Sequence, residues 1–495
     1  MPNIKFSHPG LFPTQTNYQI EKFADATFEH WEVSAVDALF RSEARFMPGS
    51  ISLCWKFWES VVLVAHPLKD SMLSWLKFGV RLEEFLADHS EGEYNGVEIN
   101  SHFPQIYREQ NHVPIEFHGW VSSEISDLVK SGVLIKWEQS MGCSAPVVIA
   151  PLLVEPSKPR LIYDARYVNC FLSLPSVEMT GPGAIPSSCW EGIYFITLDH
   201  KSGYHHVPLH PDSWKYFGVG WEGNIYCYTT LTFGWAPSAY IYCTLTDACS
   251  RCVRRLTVSP VFDWVDDICS GTSALFKNSS PESQFKSANR TAFVLSMVLF
   301  NAGYFVNLQK SSLFPMRVIE FLGVIVDSAR AMFFVPPKKV ERLLKLITDI
   351  LSQTRMSVSQ LESIVGKCRN MYLAVPSAVL YTRVQYAVLE SMLSRADSRV
   401  WARRNSTFKI SSHLREELTF WLDLKSALLN GAHWIDPSHF CLVLPDFLAH
   451  ADSSSRRCAG VVVSTAFPFQ TAEDFEEDQV ALHINVKEAI AFWNF

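Results

Sequence analysis

Two adjacent aspartates, Asp266 and Asp267, lie in the middle of an apolar segment. The surrounding residues are Val261-Phe262-Asp263-Trp264-Val265-Asp266-Asp267-Ile268, a run typical of a buried β-strand. Desolvating two neighbouring carboxylates costs free energy unless a cation compensates their charge, and a divalent metal ion commonly does so. The segment therefore indicates a metal-binding strand rather than an ordinary core strand.

A second carboxylate lies upstream in the same kind of setting. Asp199 follows the apolar run Ile193-Tyr194-Phe195-Ile196-Thr197-Leu198. Carboxylates presented by two strands are what a two-metal phosphoryl-transfer centre requires. An Asp-Asp pair alone is weak support for such a centre, so the assignment depends on the sequence around it.

Five blocks of sequence follow one another in the order found in reverse transcriptases. They are Lys158–Asn169, Leu198–Leu209, Leu231–Ser238, Trp264–Asp267, and Gly303–Lys310 with Phe321–Val324. The chain resembles this family over residues 115–495, and the second block is similar to the first palm motif of LTR-type (gypsy-like) and tyrosine-recombinase (DIRS-type) retroelements. The resemblance implies an α+β fold, a right-hand polymerase with fingers, palm and thumb. In that fold Asp199 and the Asp266–Asp267 pair would lie on adjacent strands of an antiparallel palm sheet.

The resemblance also implies a metal centre. Asp199 and Asp266 would bridge two Mg²⁺ ions, with Asp267 as a supporting ligand and Mn²⁺ as an alternative metal. One ion would lower the pKa of the primer 3′-hydroxyl and the other would hold the triphosphate. Lys310 lies near the position where the family has a lysine that protonates the leaving pyrophosphate.

Other residues would surround the incoming nucleotide. Arg160, helped by Lys158, would pair with the triphosphate, because a guanidinium fork suits phosphate oxygens. Tyr204 would form the aromatic gate that excludes a ribose 2′-hydroxyl. Phe233 and Gly234 would pack against the nucleotide.

These roles predict an RNA-directed DNA polymerase (EC 2.7.7.49) of a retrotransposon, which joins dNTPs to a primer on an RNA or DNA template. One alternative is an inactive or domesticated relic that binds nucleic acid without catalysis. The intact acidic triad argues against the relic, whereas Trp264, which replaces the usual Tyr, and a shortened RNase H region favour it. The other alternative is an unrelated hydrolase that uses the Asp pair as acid and base, but it leaves the five ordered blocks unexplained.

The C-terminal segment resembles part of an RNase H domain. Phe447–Val463 is similar to its first hairpin, with Asp452 in place of the first metal-binding aspartate. His483–Ile490 is similar to the helix that supplies a glutamate, here Glu488, and Ile484-Asn485-Val486 is typical of DIRS-type elements. Two further aspartates of that family do not follow, so a partial RNase H-like α/β domain without RNase H activity is expected.

Four regions are predicted along the chain: an N-terminal accessory segment that packs on the fingers (1–114), fingers and palm (115–330), a thumb-like or connection-like helical region (331–437), and the partial RNase H-like domain (438–495). The whole chain has a net charge of −7, but residues 338–404 contain twelve basic and five acidic residues, a local charge of +7. Apolar residues recur there at helical spacing, at Val340, Leu343, Leu344, Ile347, Ile350 and Leu351. A basic helical bundle after the palm indicates a thumb that binds the phosphates of a duplex.

Composition is typical of an intracellular enzyme of the cytoplasm or nucleus, because the twelve cysteines form no disulfide framework. Cys249 and Cys252 are predicted to be two core or surface thiols rather than half of a zinc site. The longest apolar stretch, 292–300, is too short to span a membrane, so no membrane partner is expected. Four histidines (His200, His205, His206 and His210) are predicted to be polar surface residues on different faces of a strand rather than zinc ligands. The sequence leaves the oligomeric state open.

Overall fold

The structure is a computed structural model. It describes residues 46–88, 92–94, 97–99, 103, 106–109, 113–138, 146–155, 159–177, 179–307, 309–394, 406–423, 425–434, 448–453, 457–463, 469–474 and 487. By internal contacts the chain divides into two units, Met1–Trp434 and Ile435–Phe495. The two units are described separately below.

The described strands are mostly short and run through the whole chain. They are β1 (Glu93–Tyr94), β2 (Val97–Glu98), β3 (Tyr107–Arg108), β4 (Leu134–Lys136), β5 (Val148–Ile149), β6 (Leu152–Val154), β7 (Leu161–Tyr163), β8 (Phe195–Asp199), β9 (Gly218–Trp221), β10 (Asn224–Tyr228), β11 (Val261–Trp264), β12 (Asp267–Gly271), β13 (Ser312–Met316), β14 (Val318–Phe321), β15 (Val324–Asp327), β16 (Met332–Phe334), β17 (Arg355–Ser357), β18 (Thr407–Lys409), β19 (Ala432–His433), β20 (Leu448–Ser453), β21 (Arg457–Val463) and β22 (Phe469–Asp474).

The longer helices are α1 (Lys69–Phe78), α2 (His118–Ser131), α3 (Ala236–Thr257), α4 (Pro281–Ala302), α5 (Pro337–Leu351), α6 (Val358–Arg369), α7 (Arg383–Ser394) and α8 (Ser412–Asp423). Shorter α-helical segments are Ser50–Leu53, Trp55–Phe57, Arg166–Asn169, Ile185–Ser188 and Lys425–Asn430, and Trp58–Val62 is a π-helix. The 3₁₀ turns are Leu82–Phe85, Ile115–Phe117, Pro182–Ala184, Gly203–His206, Pro211–Tyr216, Ala274–Phe276 and Pro376–Thr382. No described helix is long and apolar enough to cross a membrane.

The sheet that carries the candidate site has the order β11-β12-β8-β13 and is antiparallel throughout. α3 packs on β11, and α4 packs on β12 and β13. These helices help to bury the sheet, and β8 and β12 are buried along almost their whole length. The longest apolar stretch of the sequence, 292–300, lies buried in the C-terminal half of α4.

A second sheet has the order β3-β5-β9-β10-β4. Four of its strands lie within the predicted fingers and palm region, and β3 belongs to the predicted N-terminal segment. The sequence predicts a helix near 122–131, and the structure has it as α2. The sequence also predicts short β-rich runs at 146–153 and 160–163. The structure has β5 and β6 in the first run and β7 in the second, and β6 and β7 form an antiparallel pair.

The helices after the palm have the predicted amphipathic pattern. In α5, Val340, Leu343, Ile347 and Ile350 are buried, which confirms the helical spacing. Ser357 begins α6 with a capping box, because its hydroxyl accepts a hydrogen bond from the Gln360 N–H while the Gln360 side chain accepts one from Ser357. Apolar faces of α5, α6 and α8 share one core with the hairpin β14–β15.

The described part of the N-terminal segment lies against the predicted fingers and palm region, both at the C-terminal end of α4 and at Phe171, whose carbonyl accepts a hydrogen bond from the Ala87 N–H. Trp58 Nε1 donates to the Ala302 carbonyl at 2.9 Å, and Ser50 Oγ donates to the Gly303 carbonyl at 2.7 Å. Gly303 has φ +92°, and a Cβ there would lie 2.8 Å from the Ser50 carbonyl oxygen, so only glycine fits this approach. The N-terminal segment therefore also contacts the C-terminal end of α4, which supplies the acceptor groups.

The second unit contains the antiparallel sheet β20-β21-β22. The predicted hairpin is present as β20 and β21, with Asp452 opposite Ala459. Glu488 and residues 435–447 lie outside the described residues. The RNase H-like identity of this unit stays a prediction.

Candidate active site

Three carboxylates meet at one end of the palm sheet. Asp199 ends β8 and lies directly opposite Asp267, the first residue of β12. Asp266 occupies the turn between β11 and β12, and its carbonyl accepts a hydrogen bond from the His200 N–H at 2.9 Å. The expected placement on adjacent strands is therefore confirmed, and the turn is tied to the residue that follows Asp199.

The turn that carries Asp266 is tight. Trp264 pairs with Asp267, which leaves Val265 and Asp266 as a two-residue loop. Val265 has φ +54°, a left-handed conformation that is unusual for a β-branched residue. Strain of this kind persists only where the surroundings hold the chain, and it occurs often at active sites.

The ionised forms of Asp266 and Asp267 are disfavoured at this site. Burial, followed by the charges of Asp266 and Asp199, raises the pKa of Asp267 to about 6. Burial also raises the pKa of Asp266, with a further contribution from Asp199, while Lys310 and Arg160 lower it. Opposite charge placed among these groups would stabilise their ionised forms.

Lys310 supplies part of that charge. Its Nζ lies 3.2 and 3.3 Å from the two carboxylate oxygens of Asp199. The segment around Lys310 is held by two hydrogen bonds, from the Asn307 N–H to the Asp199 carbonyl (2.7 Å) and from the Asp199 N–H to Ser311 Oγ (3.0 Å). The sequence assigned Lys310 to the leaving group and did not predict this ion pair with a candidate metal ligand.

The donor set fits Mg²⁺ chemically, since Mg²⁺ takes carboxylate oxygens and retains water. Within the part of the chain that the structure describes, no three His, Cys, Asp or Glu side chains are placed so that they could hold a metal ion by themselves. Ions bound here would therefore need further oxygen ligands from water or from substrate phosphates, as Mg²⁺ at phosphoryl-transfer sites commonly does.

The predicted nucleotide-binding residues border this acidic group. Tyr204 is half-buried, and its ring packs 4.9 Å from the Phe233 ring and 5.5 Å from the Tyr242 ring. The residue before it, Gly203, lies next to Asp266, because a Cβ on Gly203 would be 3.8 Å from the Asp266 Cβ. The aromatic gate candidate is thus adjacent to the carboxylates.

The Phe233–Gly234 loop is joined to the strand that follows Arg160. The Tyr163 N–H donates to the Phe233 carbonyl at 3.1 Å. Gly234 has φ +104°, and a Cβ there would lie 2.0 Å from the Tyr163 carbonyl oxygen, so the loop requires glycine. Arg160 is exposed, and its charge acts on Asp266. Lys158 lies outside the described residues.

The prediction of surface histidines is wrong for His200 and His206, which are 2% and 0% exposed. The chain leaves the strand after Asp199 and forms a 3₁₀ turn, so strand alternation does not apply. His206 donates from Nδ1 to the Gly203 carbonyl (2.7 Å) and accepts the Phe305 N–H at Nε2 (2.8 Å). Burial lowers the pKa of both histidines to about 3, so they are neutral structural groups.

Two other predictions concern residues near the site. Cys249 and Cys252 are buried free thiols in α3, and burial raises the pKa of both. Trp264 is 39% exposed and lies over Gly181, where a Cβ would be 3.4 Å from the ring.

The basic helices form a separate candidate surface. A cavity of about 200 Å³ between the β14–β15 hairpin and helices α5 and α6 is lined by Lys339, Arg342, Lys367 and Asn370. Lys339 Nζ donates to the Gly323 carbonyl at 2.9 Å, whereas Arg342 and Lys367 are exposed. Four other basic residues of the predicted cluster, Arg395, Arg399, Arg403 and Arg404, lie outside the described residues.

Residues 155–326 match the sequence model of a family described as "Reverse transcriptase (RNA-dependent DNA polymerase)". The Pro-Pol polyprotein of Simian foamy virus type 1 is 28% identical over 234 residues, which cover 45% of this chain and 18% of the polyprotein. The Pro-Pol polyprotein of Feline foamy virus is 26% identical over 244 residues, which cover 49% of this chain and 18% of the polyprotein. The chain thus spans less than a fifth of the length of these curated relatives.

Solved structures of foamy viral protease-reverse transcriptase share the fold. One is a complex with double-stranded DNA. The match covers 92% of this chain and 73% of the foamy viral chain, with a TM-score of 0.53 and 18% identity. Another, in complex with an RNA/DNA hybrid, covers 92% of this chain and 56% of its own, with a TM-score of 0.54 and 17% identity. The segment that matches the reverse transcriptase family contains Asp199, Asp266 and Asp267. The solved structures share a polymerase-type α+β fold with this chain.

Proposed function

We propose that this chain is an RNA-directed DNA polymerase that joins deoxynucleoside triphosphates to a primer 3′-hydroxyl through a two-metal centre. The observation that carries the proposal is the opposition of Asp199 and Asp267 across β8 and β12, with Asp266 in the tight turn beside them. The family match over this segment supports the same reaction. An unrelated acid–base hydrolase has no support from that match.

Different residues of the chain would have different roles in the reaction. Two divalent ions, when bound, would lower the pKa of the primer hydroxyl and neutralise charge on the triphosphate. Asp199 and Asp266 would hold them, with Asp267 in support. Arg160 would orient the triphosphate through a guanidinium fork, and Lys310, released from Asp199, would give a proton to the leaving pyrophosphate.

The nucleotide and the duplex would occupy neighbouring surfaces. Tyr204, with Phe233 beside it, would pack below the sugar, where its ring leaves no space for a 2′-hydroxyl. The exposed cations of α5 and α6 would bind phosphates of an RNA or DNA template paired with its primer. Complexes of the foamy viral proteins with double-stranded DNA and with an RNA/DNA hybrid support this choice of partner.

The finer sequence predictions extend the proposal. A retrotransposon origin, of DIRS or gypsy-like type, rests on the sequence blocks alone, and the relatives named above are foamy viral. An intracellular location and a partial RNase H-like role for Asp452 and Glu488 likewise rest on the sequence.

Primer extension tests the proposed reaction. The purified chain, given poly-rA/oligo-dT, dTTP and Mg²⁺ or Mn²⁺, is expected to lengthen the primer in a template-dependent and metal-dependent manner. Duplex binding without any extension, under both metals, would contradict the polymerase and favour the nucleic-acid-binding relic.

A further inference from the structure

The strand that leads into the catalytic turn is an edge strand. β11 pairs with β12 only, because the sheet order is β11-β12-β8-β13. On such an edge, alternate carbonyl groups point away from the sheet and need other hydrogen-bond donors. At Val261 and Asp263 those donors are known: Arg254 binds the Val261 carbonyl, and the Thr180 N–H binds the Asp263 carbonyl at 3.0 Å.

Arg254 holds this edge at two points. Its Nη2 donates to the Val261 carbonyl at 2.7 Å and to Asp263 Oδ1 at 3.0 Å, and its Nε lies 3.2 Å from the same carbonyl. Its Nη1 donates at 3.3 Å to Oδ1 of Asp247, which lies seven residues earlier in α3. The guanidinium fork therefore joins the last turn of α3 to two alternate residues of β11.

Asp263 supplies the charged acceptor in the contact between Arg254 and β11. It is 5% exposed, and it lies three residues before Asp266. A buried carboxylate without its cation is strongly destabilised, so Asp263 keeps β11 in the position where Arg254 can reach it. The position of β11 fixes the position of the tight turn, because Trp264 is followed directly by Val265 and Asp266.

The neighbouring arginine provides a contrast within the same helical turn. Arg255 Nη2 donates to the Val61 carbonyl at 2.7 Å, and its Nη1 lies 3.4 Å from the Val64 carbonyl. Both acceptors belong to the N-terminal segment rather than to the palm sheet. Two adjacent arginines thus form equivalent carbonyl contacts, but only Arg254 reaches the catalytic hairpin.

We infer that Arg254 is a positioning residue that fixes the β11–β12 hairpin, and with it Asp266, for the proposed polymerase reaction. The inference rests on the proposed function for its kinetic consequence, whereas its structural consequence can be measured without activity. The hydrogen bonds of Arg254 described above go to Val261, Asp263 and Asp247 and not to the three candidate metal ligands. It acts by holding β11 in a fixed position against α3.

The cavity beside this network allows a sharp test. A space of about 580 Å³ is lined by Arg254, Asp263 and Asp247, and none of Asp199, Asp266 and Asp267 lines it. Arg254→Ala would open the guanidinium position to this space. Added methylguanidinium is then expected to enter and restore part of the lost contact.

The experiment compares Arg254→Ala with Arg255→Ala in primer extension. Arg254→Ala is expected to lower kcat about 10- to 100-fold, since small displacements of catalytic groups cost this much, with a small change in the KM for duplex. Methylguanidinium should recover kcat severalfold for Arg254→Ala and should leave Arg255→Ala unchanged. Arg254→Lys should lie between parent and Arg254→Ala, because an ammonium group cannot bind both acceptors with the same geometry.

Amide hydrogen exchange provides the readout that does not require activity. Faster exchange is expected at the Thr180 and His200 amides in Arg254→Ala, because their acceptors are the carbonyls of Asp263 and Asp266. Unchanged protection at both amides, or equal kcat for the Arg254 and Arg255 variants, would overturn the inference. A parent chain without extension would contradict the proposed function instead, and the exchange result would still decide the role of Arg254.

Discussion

The palm sheet buries charged side chains, whereas the basic helices expose theirs to solvent. At the palm, the carboxylate of Asp199 is only 10% exposed and lies among two other acids on a rigid sheet end. On α5 and α6, Arg342 and Lys367 are exposed at the rim of an apolar core. Each charge in a desolvated cluster has a large effect on its neighbours. Each exposed charge has a small effect, and only several exposed charges together have a large one. Single substitutions should therefore separate the two regions.

The largest effect is expected from Asp266→Asn. Loss of one ligand charge removes metal-centred stabilisation worth several kcal/mol, so kcat for nucleotide addition should fall by about 10³-fold or more. Steady-state primer extension measures this. Duplex affinity should remain near that of the parent, because the phosphate-binding cations are unchanged.

Asp349→Asn is the matched control, since it removes the same charge from the exposed face of α5. It should leave kcat close to the parent value. Near-parent extension by Asp266→Asn would remove Asp266 from the proposed centre.

Next in size is the double charge reversal Arg342→Glu with Lys367→Glu. Each lost phosphate contact should reduce the slope of log affinity against log salt by about one unit, without changing sequence preference. Fluorescence anisotropy of a labelled primer–template at several salt concentrations measures the slope. Lys286→Glu, on the exposed part of α4, is the control. Equal slopes for parent and double variant would make this cluster an ordinary solvated face.

Tyr204→Ala tests the sugar gate. Removal of the ring opens space beside Phe233, so ribonucleotide discrimination should fall by about 10- to 100-fold, the range typical of steric selection. The ratio of kcat/KM for dTTP and UTP gives the discrimination. Tyr204→Phe keeps the ring and should keep the ratio. If Tyr204→Ala also kept it, Tyr204 would be only a packing residue.

The smallest expected effect is a change in how thermal stability depends on pH in Asp263→Asn. Burial, despite Arg254, raises the pKa of Asp263 to about 6, so its ionised form is disfavoured in the folded protein. The parent therefore loses stability as pH rises from about 4 through 6, and the asparagine variant does not. At pH 7.5 the variant should melt a few degrees higher, roughly 2–4 °C, and at pH 4 the two should coincide. A parent that melts higher at pH 7.5 would mean that the ion pair outweighs desolvation.

Much of the site was predictable because its chemistry is local in sequence. Carboxylates within apolar runs indicate a desolvated acidic centre, and the spacing of Val340, Leu343 and Ile347 predicts α5. The burial of His200 and His206 was not predictable, because strand alternation fails where the chain turns into a 3₁₀ helix. Asp263 lies in the same apolar segment as Asp266, yet its partner Arg254 belongs to a different element and carries no sequence pattern.

The sequence by itself determined which residues carry the acidic chemistry and which segments form strands and amphipathic helices, since periodicity and residue type follow local rules. Tertiary structure decided which groups meet. Asp199 faces Asp267 because β8 and β12 pair in one register, and Lys310 reaches Asp199 because the Asn307 and Ser311 hydrogen bonds hold its loop there. Arg254 reaches β11 because α3 packs along the edge of the sheet. Contacts between residues distant in sequence depend on the packing of whole elements, and a single sequence does not specify that packing locally.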